Sequence, residues 1–497
     1  MKWREILIFS LCLICCSEQR SSPGSDSYVA AVLEYQFTRN TTQNLQNYIQ
    51  YIQEAAEQDT DILVFPEMTL TRGEKINVPI HGLLKMFPVP ALHPDLFDTI
   101  LVELSGAARH NNIYVVVNLQ EVMDCSKATE EYCPENKTYI FNTNVVFDRT
   151  GAIIDRYRKI NLFGEYTRNA ALKPELGLFE TDFGVTFGHF ICFDLMFQVP
   201  ATQVIQKHNL TDIIFSTMWF SEMPFLTAIQ IQEAYAYAMN VNFLAAGADN
   251  VNVTSKSPGP IYDDPEASKL HLNKDLRLPS EISRLLTPGH QEFVLIDRDV
   301  SCHFRVKINQ LSPENNDTAP RFFAFVKDGS NTYVQRQIGV ALCAVVACRN
   351  DSVASCPYRF AKNEMFTEFE ELEIKMTTYP SQYNSSLSCD NTVYYPNSMR
   401  YNKFPLRSND FIYEKSQNGR LASRGNKQDG ANTKSKPREQ ILYKLMTPTK
   451  ELISFGIWGR LYLRDIYAHK EITEEDLKNY VEIENVIYSN ADLYKID

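Results

Sequence analysis

After a short apolar run near its start, this chain has no stretch of hydrophobic residues long enough to cross a membrane, and its last segment, Glu474 to Asp497, is acidic and polar. A helical span needs about 20 apolar residues, and a lipid-anchor signal needs a hydrophobic tail. The sequence therefore predicts a soluble protein with no membrane anchor. Positive charge is also in short supply: 49 Lys and Arg face 61 Asp and Glu, for a formal net charge of −12. An acidic chain offers no electrostatic reason to expect nucleic acid or an anionic surface as partner. The nine histidines show no zinc-ligand spacing. No internal repeat is present.

What the chain does have is globular composition, 44% hydrophobic and 12% aromatic over 497 residues, too long for one core and suited to two or three domains. Lys2 and Arg4 precede the apolar run Ile6 to Cys16, and a polar stretch follows from Ser17 to Ser27. That order reads as a secretory signal peptide over about residues 1–22. Seven N-x-S/T sequons agree with secretion: Asn40, Asn136, Asn209, Asn252, Asn316, Asn350 and Asn384. Eight cysteines follow the signal segment, five of them between 302 and 389, where disulfides would staple a region in an oxidising compartment. Cys125 and Cys133 are close enough to close a small loop. Cys343 with either Cys348 or Cys356 is possible, and the odd count once Cys192 is set aside leaves one thiol free or bridged between molecules.

From Tyr28 to about Asp299, strand and helix signals alternate. Asp61 to Phe65 is an apolar strand stopped by Pro66. Leu45, Tyr48, Ile49, Ile52 and Ala55 keep helical spacing, as do Leu96, Ile100, Leu101, Leu104 and Ala108. Val185 to Phe193 reads as a strand, with a helix starting at Pro200. This is α/β order with strands covered on both faces. After about residue 300 short strands rich in Phe, Tyr and Val lie between turn residues, predicting a second, mostly β domain over 301–497. Val334 to Ala347 and Leu452 to Leu463 read as strands. The polar segment near 416–437 is expected to be a disordered insertion.

Three residues stand where strands end, the place ligands collect in α/β proteins. Glu67 follows Phe65-Pro66. Lys159 lies in Tyr157-Arg-Lys-Ile-Asn-Leu-Phe-Gly-Glu165. Cys192 lies in Gly188-His-Phe-Ile-Cys-Phe-Asp194. Taken singly, these are more simply a loop carboxylate, a surface lysine and a buried cysteine or disulfide half. His189 would point to the opposite face of its strand from Cys192, so it is not expected to be the base of a Cys/His pair. A nearby lysine or helix start would lower the thiol pKa.

Together, the order Glu, Lys, Cys in these contexts resembles the nitrilase superfamily of carbon–nitrogen hydrolases, and within it the vanin and biotinidase branch. Further segments carry the likeness across the chain: Pro200-Ala201, Thr217-Met-Trp219, Leu226-Thr-Ala228, Asn240-Val-Asn-Phe-Leu244, Pro258-Gly-Pro-Ile-Tyr262, the spacing Cys343, Cys348, Cys356, and Trp458-Gly-Arg-Leu-Tyr462. The resemblance implies a four-layer α-β-β-α catalytic domain over about 28–300 and a smaller β domain after it. It implies Cys192 as nucleophile, Glu67 as proton acceptor and Lys159 as oxyanion stabiliser. Glu165 would support them, and the backbone N–H of Phe193 would complete the oxyanion hole. The cysteine chemistry so implied requires no metal and no cofactor. Trp219, Phe220 and Tyr262 are candidates for the substrate wall. The substrate would be a linear amide, either pantetheine, giving pantothenate and cysteamine, or biocytin, giving biotin and lysine; pantetheine is favoured. A secreted binding protein that keeps the fold without turnover is the competing expectation, opposed by the presence of all three residues. A monomer is plausible.

Overall fold

A computed structural model describes residues 21–71, 73–126, 133–249, 272–311, 319–416 and 438–467. Residues 1–20 of the expected signal segment, Tyr262, the sequons Asn252 and Asn316 and residues 417–437 of the expected insertion lie outside the described residues.

Two sheets stack in the first half. β1 (Ala30–Val32), β2 (Ile62–Val64), β3 (Tyr114–Asp124), β4 (Thr138–Phe147) and β5 (Ile153–Arg158) hydrogen-bond in that order, the first three parallel and the last two antiparallel. β6 (Gly177–Glu180), β7 (Thr186–Ile191) and β8 (Asp212–Thr217) form the second sheet with a strand that follows later in the chain. The two-residue β9 (Glu222–Met223) comes next in sequence, then β10 (Asn242–Gly247); the sheet order is β10-β8-β7-β6, with only β6 antiparallel to its neighbour.

Side-chain alternation sorts each strand between layers. In β2, Ile62 and Val64 pack with Val116, Phe187 and Ile214 between the two sheets. Leu63 points the other way, against Leu45, Tyr48, Leu101 and Leu104 of the outer helices. Those helices are Thr41–Ala56 and Thr99–Asn111. The first begins at Asn40, whose side chain accepts from the Gln43 N–H at 3.1 Å and so satisfies one orphan donor. On the far side, helix Ala228–Met239 and the short helix Gln203–His208 cover the second sheet through Ala234, Tyr235, Val204 and Ile205. The first half is thus helix, sheet, sheet, helix.

The second half is a two-sheet sandwich. After β11 (Asn273–Lys274), which pairs with β9, come β12 (Ile282–Leu285), β13 (Gly289–Asp297), β14 (Val300–Gln310), β15 (Arg321–Tyr333) and β16 (Arg336–Cys348). β17 (Thr367–Thr378), the small pair β18 (Tyr383–Asn384) and β19 (Cys389–Asp390), β20 (Thr392–Arg400), β21 (Phe411–Ser416), β22 (Glu439–Leu445), β23 (Leu452–Leu461) and β24 (Ile466–Tyr467) complete it. One sheet runs β12-β15-β16-β23-β20, with β24 added to β16; the other runs β13-β14-β17-β22-β21. β16 shows why both its faces are apolar. Ala341, Cys343, Val345 and Ala347 fill the sandwich, while Leu342, Ala344 and Val346 pack toward the helices of the first half. The two halves therefore share one continuous core.

Three expectations are corrected. The strand predicted to run to Phe193 stops at Ile191, because Cys192 takes φ 48 and begins a 3-10 turn, Cys192–Met196. β12 and β13 already pair with β15 and β14, so the sandwich starts before the expected boundary at 300. Cys343 bonds Cys302 instead of a near neighbour, and Cys348 bonds Cys356; Cys125 and Cys133 do close their small loop. Among the described residues Cys192 and Cys389 are the free cysteines. No described helix is long and apolar enough to cross a membrane.

Candidate active site

β2, β5 and β7 all end at one place, and each delivers a side chain there. Past β2, Glu67 is 2% exposed; past β5, Lys159 is 1% exposed; past β7, Cys192 is 6% exposed. Lys159 Nζ donates to Glu67 Oε1 at 2.7 Å and to Glu165 Oε1 at 3.1 Å. Asn142 Nδ2, on β4, donates to the same two carboxylates at 2.7 and 2.9 Å. The Met218 N–H, just past β8, donates to Glu67 Oε2 at 2.8 Å. Cys192 Sγ lies 3.8 Å from the Met218 carbonyl oxygen. Four strand ends and the middle of β4 thus meet around one buried charge cluster.

The turn that carries Cys192 is held by a buried carboxylate. Asp194 accepts from Tyr157 Oη at 2.7 Å, from the Asn161 N–H at 2.8 Å, from Asn161 Nδ2 at 2.9 Å and from the Ile191 N–H at 3.2 Å. Burial pushes this carboxyl up to about 6, against the pull of these donors and of Lys159. The left-handed φ at Cys192 sets the thiol at the strand–turn corner. Phe193 follows in the first turn of the 3-10 segment, where N–H groups have no helical partner.

The electrostatics assign protons. Burial alone would raise the Glu67 carboxyl, but the Lys159 charge and hydrogen bonds from Lys159, Cys192 and Asn142 outweigh it and leave it below the ordinary 4.5. Burial would lower Lys159, and the Glu165 and Glu67 charges more than reverse that, holding it well above 10.5. For Cys192, burial and then the Glu67 charge drive the thiol far above 9.0, and the pull of Lys159 is too small to compensate. The resting cluster is Glu67 anionic, Lys159 cationic and Cys192 a neutral thiol. This corrects the expectation that a neighbouring lysine makes thiolate available: burial and the Glu67 charge outweigh the Lys159 charge.

Two cavities meet at Cys192. One, of about 330 Å³, carries the charged groups Glu67, Lys159, Glu165 and Arg168 with Gln120, on a wall that also includes Phe37, Met68 and Met218. The other, narrow at about 50 Å³, is lined mainly by Phe163, Phe193, Trp219, Phe220, Leu226 and Tyr333, with Glu222 at its wall, and is apolar. Trp219 is fixed by its Nε1–H donating to the Leu226 carbonyl at 2.9 Å; Phe220 is half-exposed and stacks on Phe163 with ring centroids 5.9 Å apart. His189 is turned away from Cys192 and bonds Asp155 Oδ2 at 2.6 Å. Asn142, Met218 and Asp194 were not singled out from sequence. Asn142 and Asn144 did leave a trace there: two amides at alternate positions of an otherwise apolar strand place polar groups on one face.

Stacked sheets between helices, with Glu, Lys and Cys converging at the strand ends, define the carbon–nitrogen hydrolase class, and the family model "Carbon-nitrogen hydrolase" matches residues 29–260. The "Vanin C-terminal domain" model matches residues 272–465. Over 93% of its length the chain is 31% identical to Vanin-like protein 2 of Drosophila melanogaster, covering 94% of that protein. It is 36% identical to human Biotinidase over 46% of this chain and 45% of that one. It is 35% identical to Pantetheinase of Canis lupus familiaris over 51% of this chain and 52% of that one. The chain belongs to the vanin family of carbon–nitrogen hydrolases.

Proposed function

We propose that this protein is a secreted amidohydrolase that cleaves a linear amide through a thioester on Cys192, with pantetheine as the favoured substrate. The observation that carries the reading is the buried contact of Glu67, Lys159 and Cys192. A neutral thiol beside a carboxylate held as an anion is a nucleophile paired with its base.

Glu67 takes the Cys192 proton as Sγ attacks the amide carbonyl. The oxyanion forms against Lys159 Nζ and the Phe193 N–H; one such donor is worth about 3 kcal/mol. The C–N bond breaks, the proton held by Glu67 passes to the leaving amine, and Cys192 is left as thioester. Water then loses its proton to Glu67, attacks the thioester and releases the acid; the thiol regains its proton. Glu165 Oε2 is buried without a hydrogen-bond partner and suits the leaving amine or that water.

Homology to Biotinidase and Pantetheinase supports a vitamin-derived amide. Three disulfides support secretion. Asn40, Asn136, Asn209 and Asn350 are exposed and Asn384 is half-buried, open to N-glycans. The test is hydrolysis of pantetheine, biocytin and simple amides by wild type and Cys192→Ala, with intact-mass detection of the acyl-enzyme. Pantetheine turnover that vanishes in the variant is expected. Absence of turnover on the whole panel, or turnover that survives the substitution, overturns the reading; biocytin as the better substrate overturns the choice of pantetheine.

A further inference from the structure

Tyr333 belongs to the second half of the molecule, at the tip of the β15–β16 hairpin, yet it lines the apolar cavity that opens onto Cys192. Two residues, Arg277 and Gly164, hold the tip there. Arg277 pairs with Glu222 of β9, donates to the Thr332 carbonyl at 2.9 Å and lies over the Tyr333 ring at 4.5 Å. It therefore ties the strand beside the active site to the hairpin. Gly164, in the loop after Lys159, approaches so closely that a Cβ there would meet Val334 Cγ1 at 3.2 Å. Val334 itself has φ 55, a left-handed conformation that a β-branched residue adopts only under constraint. Strain of this kind persists where surrounding contacts over-determine it, and it concentrates at ligand clamps.

The two cavities also divide the substrate. The hydrolytic water must reach the thioester beside Glu67, and the amine must leave from there, so both use the cavity that carries the charged groups. The acyl arm stays bonded to Cys192 throughout and needs the other one. We propose that the β15–β16 hairpin tip is part of the active site, with Tyr333 walling the narrow apolar cavity that receives the acyl arm and selecting acyl groups by the apolar contact they make there. Arg277 and Val334 act as positioning residues for that wall. This rests on the thioester reading above.

The test uses the intact chain and unbranched aliphatic aldehydes, from ethanal to hexanal. Each adds reversibly to the thiol: the Sγ–C bond forms, the carbonyl π bond breaks and the thiol proton ends on oxygen. The aldehyde chain then occupies the acyl position. Binding is read as protection of Cys192 from iodoacetamide, followed on the Cys192 peptide by mass spectrometry. In wild type, binding should tighten about threefold to fourfold per methylene, the gain for burying a CH₂. Tyr333→Ala should flatten that slope; Tyr333→Trp should shorten the longest chain accepted; Tyr333→Phe should keep the wild-type slope. Val334→Gly, which relieves the backbone without touching the ring, should weaken the slope and serves if Tyr333→Ala does not fold. A flat wild-type slope, or slopes unchanged in Tyr333→Ala, Tyr333→Trp and Val334→Gly, overturns the proposal. Aldehyde protection needs no turnover. A steep slope in a chain with no amidase activity would therefore remove the thioester reading and keep the acyl cavity, and turnover with a flat slope would do the reverse.

Discussion

Asn142 is the residue that keeps two carboxylates beside one lysine. Its Nδ2 serves Glu67 and Glu165 together, and its Oδ1 accepts from Asn118 Nδ2 at 2.8 Å, which fixes the amide orientation. Removing a donor to a charged group costs about 1.5–3 kcal/mol. Asn142→Ala should therefore lower kcat roughly tenfold to a hundredfold with a much smaller change in KM, and should shift the acid limb of the pH profile upward. The pH dependence follows from Glu67. Its folded pKa lies below 4.5, so the base is ionised, and activity present, above that value and lost only as pH falls through it. In kcat/KM the acid limb is expected below pH 4.5, with no alkaline limb from Lys159 below 10.5. An acid limb near 6 would instead point to Asp194 and the turn it holds.

At the scale of elements, much was legible. Continuous apolar runs located the strands of the first half, since burial on both faces removes alternation, and period 3.6 located its helices. Glu67, Lys159 and Cys192 were readable as strand-end residues, but not as neighbours. Their meeting depends on the ends of three strands from two sheets, which no local spacing encodes. The 3-10 turn at Cys192 was missed because Ile-Cys-Phe continues an apolar strand pattern, and only the Asp194 hydrogen bonds stop it. The Cys302–Cys343 bond was missed because it joins β14 of one sheet to β16 of the other across 41 residues. That bond staples the sandwich. Replacing both cysteines by serine should cost about 2–4 kcal/mol of stability, read as a lower unfolding midpoint, while Cys192 alkylation in the folded variant keeps its rate. An unchanged midpoint would show that the sandwich core suffices alone.

The whole molecule behaves as one body because polar groups as well as apolar ones are shared across its halves. Gln230 Nε2 donates to Asn397 Oδ1 at 2.6 Å and to the Pro224 carbonyl at 2.7 Å, and Arg460, fully buried, donates to the Met196 carbonyl at 2.8 Å while pairing with Asp465 at 2.7 Å. Breaking a buried pair leaves an uncompensated charge, at about 3–5 kcal/mol. Arg460→Ala should lower the unfolding midpoint of both halves in a single transition; two separate transitions would mean the halves unfold independently. The proton on Cys192 has a further consequence. Thiol–disulfide exchange and peroxide oxidation both begin from thiolate. Six of the described cysteines are oxidised in pairs, while Cys192, the proposed nucleophile, is kept protonated first by its burial and then by the charge of the carboxylate beside it. The burial and the carboxylate that hold the proton while the thiol waits thus also slow its oxidation and its exchange with disulfides, and the same carboxylate would release it to substrate.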